Sequence, residues 1–260
     1  MIGGAEDRKG NKKVLQHLVN YTRPTTIIII PTASAYPNDV YRSYADAFGA
    51  LGIQEVECLD IRYRDETDRK EHIDVVDKAD LIYFGGGDQV KLVDVMNRTR
   101  LFDRIRARFE SGDLHIAGTS AGAAAAGNPI LYNGDRRGFK KGSIKFGEGF
   151  GFVDGVAIDT HFSARKRLPR LCQLLVSGRC RKGIGLDEDT GIVIHPNSHF
   201  TVIGSGMVTL VNSTHVSGSN YSAISNGETM RFNNMHIGFL PAGTRFSLRK
   251  WSILGQPRRL

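Results

Sequence analysis

Residues 25–31 read Thr-Thr-Ile-Ile-Ile-Ile-Pro (TTIIIIP). A continuous β-branched run without polar alternation has no wet face. It fits a strand covered on both sides, as in the middle of a parallel sheet. The pattern on either side agrees. Residues 39–51 carry Val40, Tyr44, Ala47, Phe48 and Leu51 at helical spacing, and Gly52 can close that helix. Residues 54–59 read as the next strand and 74–79 as a short helix. Residues 81–84 (LIYF) read as another buried strand, 90–97 and 101–110 as helices, and 114–117 (LHIA) as a strand. Strands and helices that alternate in this way imply a mostly parallel α/β sheet flanked by helices on both faces. In such sheets ligands bind beyond the carboxyl ends of the strands.

One such end is Gly118-Thr119-Ser120-Ala121-Gly122, followed by alanines 123–126. Gly-x-Ser-x-Gly between a strand and a helix is the pattern of a nucleophile elbow, a sharp turn that lifts the hydroxyl above the sheet. A serine nucleophile needs a base. Of eight histidines, His161 stands out because it follows a strand-like run at 155–158, within Asp159-Thr160-His161-Phe162. His115 lies in the strand leading to Ser120 and is expected to pack. The base needs an orienting carboxylate. Glu188, Asp159 and Asp187 all qualify on sequence. A second loop, Gly85-Gly86-Gly87-Asp88-Gln89, follows the strand ending at Phe84. It lacks the Lys-Ser/Thr of a phosphate loop but can offer N–H groups to an oxyanion. Ile2-Gly3-Gly4-Ala5 is no dinucleotide fingerprint.

The composition sets limits. The 260 residues suffice for a substantial core, and no apolar run approaches the length of about 20 residues that a membrane helix needs. The formal charge is +8, much of it in clusters at Arg136, Arg137, Lys140 and Lys141, at 165–170, and at 179–182. No aromatics interleave them, so nucleic acid is not the expected partner. Cys58, Cys172 and Cys180 show no metal-ligand spacing, and their odd number fits reduced thiols in a cytoplasmic protein. The chain reads as one domain, 1–260. An α/β core runs to about residue 200, and a β-rich extension follows, with hairpin-like glycines and polar residues between 204 and 234.

The blocks IGGAED (2–7), PTAS (31–34), FGGGDQ (84–89), GTSAGAAA (118–125), DTHFSARKRLPRL (159–171) and GIGLDEDTGIVI (183–194) together resemble cyanophycinase, in the serine peptidase group that also holds dipeptidase E. So do VIGSGMVTLV (202–211) and FLPAGTRFSL (239–248), so the resemblance spans nearly the whole chain. The arginine-rich segment after His161 and the β-rich C-terminal part favour cyanophycinase over dipeptidase E. The resemblance implies a fold like that of class I glutamine amidotransferases. It implies Ser120 as nucleophile, His161 as general base and Glu188 as its carboxylate partner. Gly86 or Gly87 with Ala121 would form the oxyanion hole. Gln89, Asp159, Thr160, Arg165, Arg167 and Arg170 match pocket-lining positions. Thr160 stands where cyanophycinases carry glutamine, so specificity is expected to differ there.

The implied substrate is cyanophycin, a poly-aspartate backbone with arginine on each side-chain carboxyl, and the product is the β-Asp-Arg dipeptide. Each repeat offers a free carboxylate, for which arginines converging on a pocket rim are suited. Asp88 and Asp159 are candidates to meet the substrate guanidinium. No cofactor or metal is implied, and a homodimer is. The alternatives are a dipeptidase E-like enzyme acting on short aspartyl peptides and a non-catalytic binding protein on the same fold. The resemblance also places Met1–Gly4 at the end of a first strand, so the chain is expected to be truncated or to lack most of that strand. Segment 127–147 is expected to lie near the site.

Overall fold

The computed structural model describes residues 1–134 and 138–255; Arg136 and Arg137 lie outside the described residues. The isoleucine run becomes β1 (Thr26–Ile30), and all five of its residues are buried. β1 pairs in parallel with β2 (Glu55–Cys58) and with β3 (Leu81–Phe84), and β3 pairs in parallel with β4 (His115–Gly118). The order is therefore β2-β1-β3-β4. Alternate residues of the run serve different faces. Ile27 and Ile29 pack with Tyr44, Phe48 and Tyr83, whereas Ile28 and Ile30 pack with Phe84, Leu92 and Phe102. Two-sided burial explains why the run cannot alternate with polar residues. Each such side chain contributes about 1.5–3 kcal/mol of apolar transfer.

The connections are helical: α1 (Lys13–Thr22) precedes β1, and α2 (Pro37–Gly49), α3 (Lys70–Lys78), α4 (Gln89–Met96) and α5 (Arg100–Ser111) link the strands. α2 starts two residues before the sequence reading because Pro37 takes the first helical turn, where its missing N–H is harmless. It ends at Gly49, ahead of Gly52. α1 was not anticipated, although Val14, Leu15, Leu18 and Val19 form one apolar face. His115 does not pack as expected. It is exposed at the start of β4, where Tyr21 meets its ring edge-on at 6.3 Å between centroids.

The short helix α6 (Ala121–Ala126) leads into four short strands, β5 (Gly127–Asn128), β6 (Ile130–Tyr132), β7 (Lys145–Gly147) and β8 (Val153–Asp154). β9 (Val156–Asp159), α7 (Leu168–Val176), β10 (Lys182–Leu186), β11 (Thr190–His195), β12 (His199–Gly204) and β13 (Met207–Asn212) follow. The last strands are β14 (His236–Pro241), β15 (Arg245–Ser247) and β16 (Ser252–Ile253). A second sheet has the order β14-β13-β10-β9 and a third β11-β12-β15-β16. β9 and β10 pair in parallel, and the other pairs of these two sheets are antiparallel. The fold is thus mixed α/β: a helix-flanked parallel sheet joined by additional sheets.

Ile2 links the sheets, with a parallel bridge to Thr119 and an antiparallel bridge to Gly191. β4 and β11 are edge strands, and together with Ile2 both line a cavity of about 1000 Å³.

α6 lies against β3 so closely that a Cβ on Gly122 would overlap the Phe84 carbonyl. Gly122→Ala is therefore expected to destabilise the protein by about 1–3 kcal/mol, as overpacking does. A urea titration with an unchanged midpoint would contradict this packing.

Candidate active site

Ser120 sits where β4 gives way to α6, at φ 50 and ψ −111. Such a backbone is costly for a non-glycine residue and is retained where surrounding structure enforces it. Here Ser120 N–H donates to Ile2 O (3.0 Å), and Gly122 N–H turns back to Thr119 O (2.9 Å). The hydroxyl meets the His161 ring: Ser120 Oγ lies 2.9 Å from His161 Nε2.

His161 follows β9, the strand expected to deliver it. Its other ring nitrogen, Nδ1, is 2.7 Å from Glu188 Oε1. Of the three carboxylates left open by sequence, only Glu188 bonds the ring. Asp187 instead accepts from Ser163 N–H (2.9 Å) and Met207 N–H (3.2 Å). Asp159 turns away toward arginines. With Glu188 accepting at Nδ1, Nδ1 carries the proton and Nε2 is left as the acceptor for Ser120.

The glycine loop faces the serine. A Cβ on Gly86 would stand 3.3 Å from Ser120 Cβ. Among the described residues, no protein group accepts from the N–H of Gly86, Gly87 or Ala121. For Ala121 this follows from its place in the first turn of α6.

The pocket residues divide. Arg165 is exposed beside His161, and its N–H donates to His161 O at 3.0 Å. Arg167 and Arg170 do not extend along a rim with it. They are 8% and 2% exposed and converge on Asp159, itself 1% exposed. Arg170 Nε is 2.7 Å from Asp159 Oδ2 and its Nη2 2.5 Å from Oδ1, a bidentate pair, while Arg167 Nη1 is 3.3 Å from Oδ1. The reason is the helix α7, which starts at Leu168 and turns Arg170 inward among Leu171 and Leu174. Thr160 is buried; its N–H donates to Asp159 Oδ1 (2.9 Å) and its carbonyl accepts from Arg167 Nη1 (2.7 Å). Gln89 Nε2 donates to Leu131 O (2.9 Å), tying α4 to β6. Asp88 caps α4, accepting from Val90 N–H at 2.8 Å through Oδ1.

Burial holds the His161 imidazole below its ordinary 6.5, the Glu188 hydrogen bond pulls it up, and the Arg165 charge pushes it down again. The ring is thus neutral at neutral pH, the form a general base needs. kcat/KM is expected to fall in acid along a limb centred below 6.5, and Arg165→Gln to move that limb upward. A pH profile whose acid limb is unmoved by Arg165→Gln would contradict the electrostatic link.

The model of Peptidase family S51 matches residues 1–202. The chain belongs to peptidase family S51. It is a serine-type peptidase. A cyanophycinase from Geminocystis herdmanii is 33% identical over 250 residues, covering 95% of this chain and 92% of the relative. A peptidase E from Actinobacillus pleuropneumoniae is 41% identical, but over 66 residues, 25% of this chain. A solved peptidase from an acI-B1 Actinobacterium shares the fold, with TM-score 0.72 at 22% identity and 95% of each chain covered. In this S51 chain, sequence reasoning gave the segment 2–7 no role in the site. Its Gly3-Gly4 pair was the available signal, since adjacent glycines permit close backbone approach.

Proposed function

We propose that this peptidase cleaves the poly-aspartate backbone of cyanophycin and releases β-Asp-Arg, through an acyl-enzyme on Ser120. The observation that carries the catalytic part is the relay Ser120 Oγ–His161 Nε2–Glu188, with links of 2.9 and 2.7 Å, facing open backbone N–H groups. His161 takes the hydroxyl proton as Oγ attacks the peptide carbonyl. Glu188 holds the imidazolium that forms. The N–H groups of Ala121 and of Gly86 or Gly87 receive the oxyanion. His161 then protonates the leaving amine, and water, deprotonated by the same ring, releases the acyl group.

Similarity to cyanophycinases along nearly the whole chain supports the substrate. So does Arg165, an exposed cation beside His161 that suits the free carboxylate of each repeat; in this reading Gln89 and Thr160 border the substrate site. Asp88 keeps Oδ2 for the substrate guanidinium. The same reading takes residues 1–260 as one domain of the class I glutamine amidotransferase-like type, cofactor-free, homodimeric and cytoplasmic.

Three substrates discriminate: cyanophycin, poly-aspartate without arginine, and an Asp-X dipeptide. Cleavage of cyanophycin alone is expected. Cleavage of the dipeptide alone would favour the peptidase E-like alternative.

A further inference from the structure

Glu6 is 4% exposed and takes no part in the chemistry above. Its Oε1 accepts from the hydroxyls of Tyr44 (2.5 Å) and Tyr83 (2.6 Å), and its Oε2 from the hydroxyl of Thr119 (2.8 Å). The three donors come from α2, from β3 and from the residue before the nucleophile. A buried carboxylate is tolerated only when satisfied in this way, and its hydrogen bonds are stronger than neutral ones. Burial first, and the Glu6 carboxylate second, hold both tyrosine hydroxyls well above their ordinary range. They therefore remain donors at any working pH.

The backbone around Glu6 reaches each arm of the site. Ile2 N–H donates to Gly118 O (2.8 Å), and Ile2 O accepts from Ser120 N–H (3.0 Å). Gly3 O accepts from His161 N–H (2.8 Å), and Gly4 O from the N–H of Asp189 (2.9 Å), the neighbour of Glu188. Gly4, at φ +98, lies so close to the His161 ring that a Cβ would overlap it. The segment Ile2–Asp7 thus touches the elements that carry Ser120, His161 and Glu188, and Glu6 clamps it to the elbow.

We propose that Glu6 is a positioning residue for the reaction: through Thr119 it fixes the elbow so that Ser120 Oγ stays in line with His161 Nε2. The inference rests on the reading of Ser120 as nucleophile. Misplacing a reacting group by about 1 Å lowers rates on the order of 10²-fold. Glu6→Gln and Thr119→Val should each lower kcat by on the order of 10²-fold with KM nearly unchanged. Labelling of Ser120 by a serine-directed reagent should slow in parallel. Thr119→Ser, which restores the hydroxyl, should recover both. Tyr44→Phe removes a donor from the same carboxylate without touching the elbow, so it should lower Tm while kcat stays.

Wild-type kcat and labelling rate in folded Thr119→Val would overturn the proposal. So would loss of rate in Tyr44→Phe equal to that in Thr119→Val, since Glu6 would then act through stability alone. If Glu6→Gln does not fold, the Thr119→Val and Thr119→Ser pair decides. If the wild type labels at Ser120 but leaves cyanophycin intact, the substrate reading fails and the labelling rates still test Glu6. If Ser120→Ala keeps full activity, both readings fail.

Discussion

Ser120→Ala is expected to lower kcat on the order of 10⁵-fold, with secondary structure and unfolding midpoint near wild type. The hydroxyl lies 2.9 Å from His161 Nε2, and the alanine side chain differs from serine by that oxygen alone. Removing the hydroxyl deletes the nucleophile and leaves the pocket standing. What survives is the weak acceleration that binding and the oxyanion donors give alone. His161→Ala should fall to a similar rate, and the double variant should be hardly slower than either, because the two groups act as a unit. A serine-directed reagent should label wild type and not Ser120→Ala. An unlabelled wild type of full structural integrity would instead favour a non-catalytic binding protein on this fold.

The largest stability effect is expected at the buried pair of Asp159 and Arg170. Both are almost fully enclosed, and the guanidinium grips both carboxylate oxygens. Among the described residues, Arg170→Ala leaves Asp159 with the Thr160 N–H at 2.9 Å and the longer charged contact from Arg167 at 3.3 Å. Breaking one partner out of a buried pair lowers stability by about 3–5 kcal/mol. Asp159→Leu combined with Arg167→Met and Arg170→Met removes all three charges of this cluster and should be less damaging than Arg170→Ala. The triple variant also removes a carboxylate that bonds Thr160 N–H, one residue from His161, so its catalytic rate should drop even where stability is kept. Urea titration reads the first effect and initial rates the second. An Arg170→Ala protein as stable as wild type would mean that the pair is solvated.

Much of the fold was legible because burial on two faces leaves a direct mark. TTIIIIP and LIYF are apolar without alternation, and they became the adjacent central strands β1 and β3. Ser120 and His161 were singled out by their places at strand ends, and the structure brings them within hydrogen-bond reach of each other and of Glu188, which the residues alone had left with Asp159 and Asp187 as rivals. Their separation depends on side-chain direction: His161 Nδ1 meets Glu188, whereas Asp187 and Asp159 turn to other partners, a fact that no residue pattern encodes. The arginine segment was expected to converge on a pocket rim, but LPRLCQLLV is helical from Leu168 and carries Arg170 inward onto Asp159, while Arg165 stays exposed. Glu6 was invisible as a site residue because its partners Tyr44, Tyr83 and Thr119 are brought together only by the sheet.

Digestion of purified cyanophycin by the wild type and by Ser120→Ala, with the soluble products identified by mass, tests the central claim most directly. β-Asp-Arg released by the wild type and absent from the variant is the predicted result. Soluble dipeptide from both proteins, or from neither while both remain folded, would contradict it.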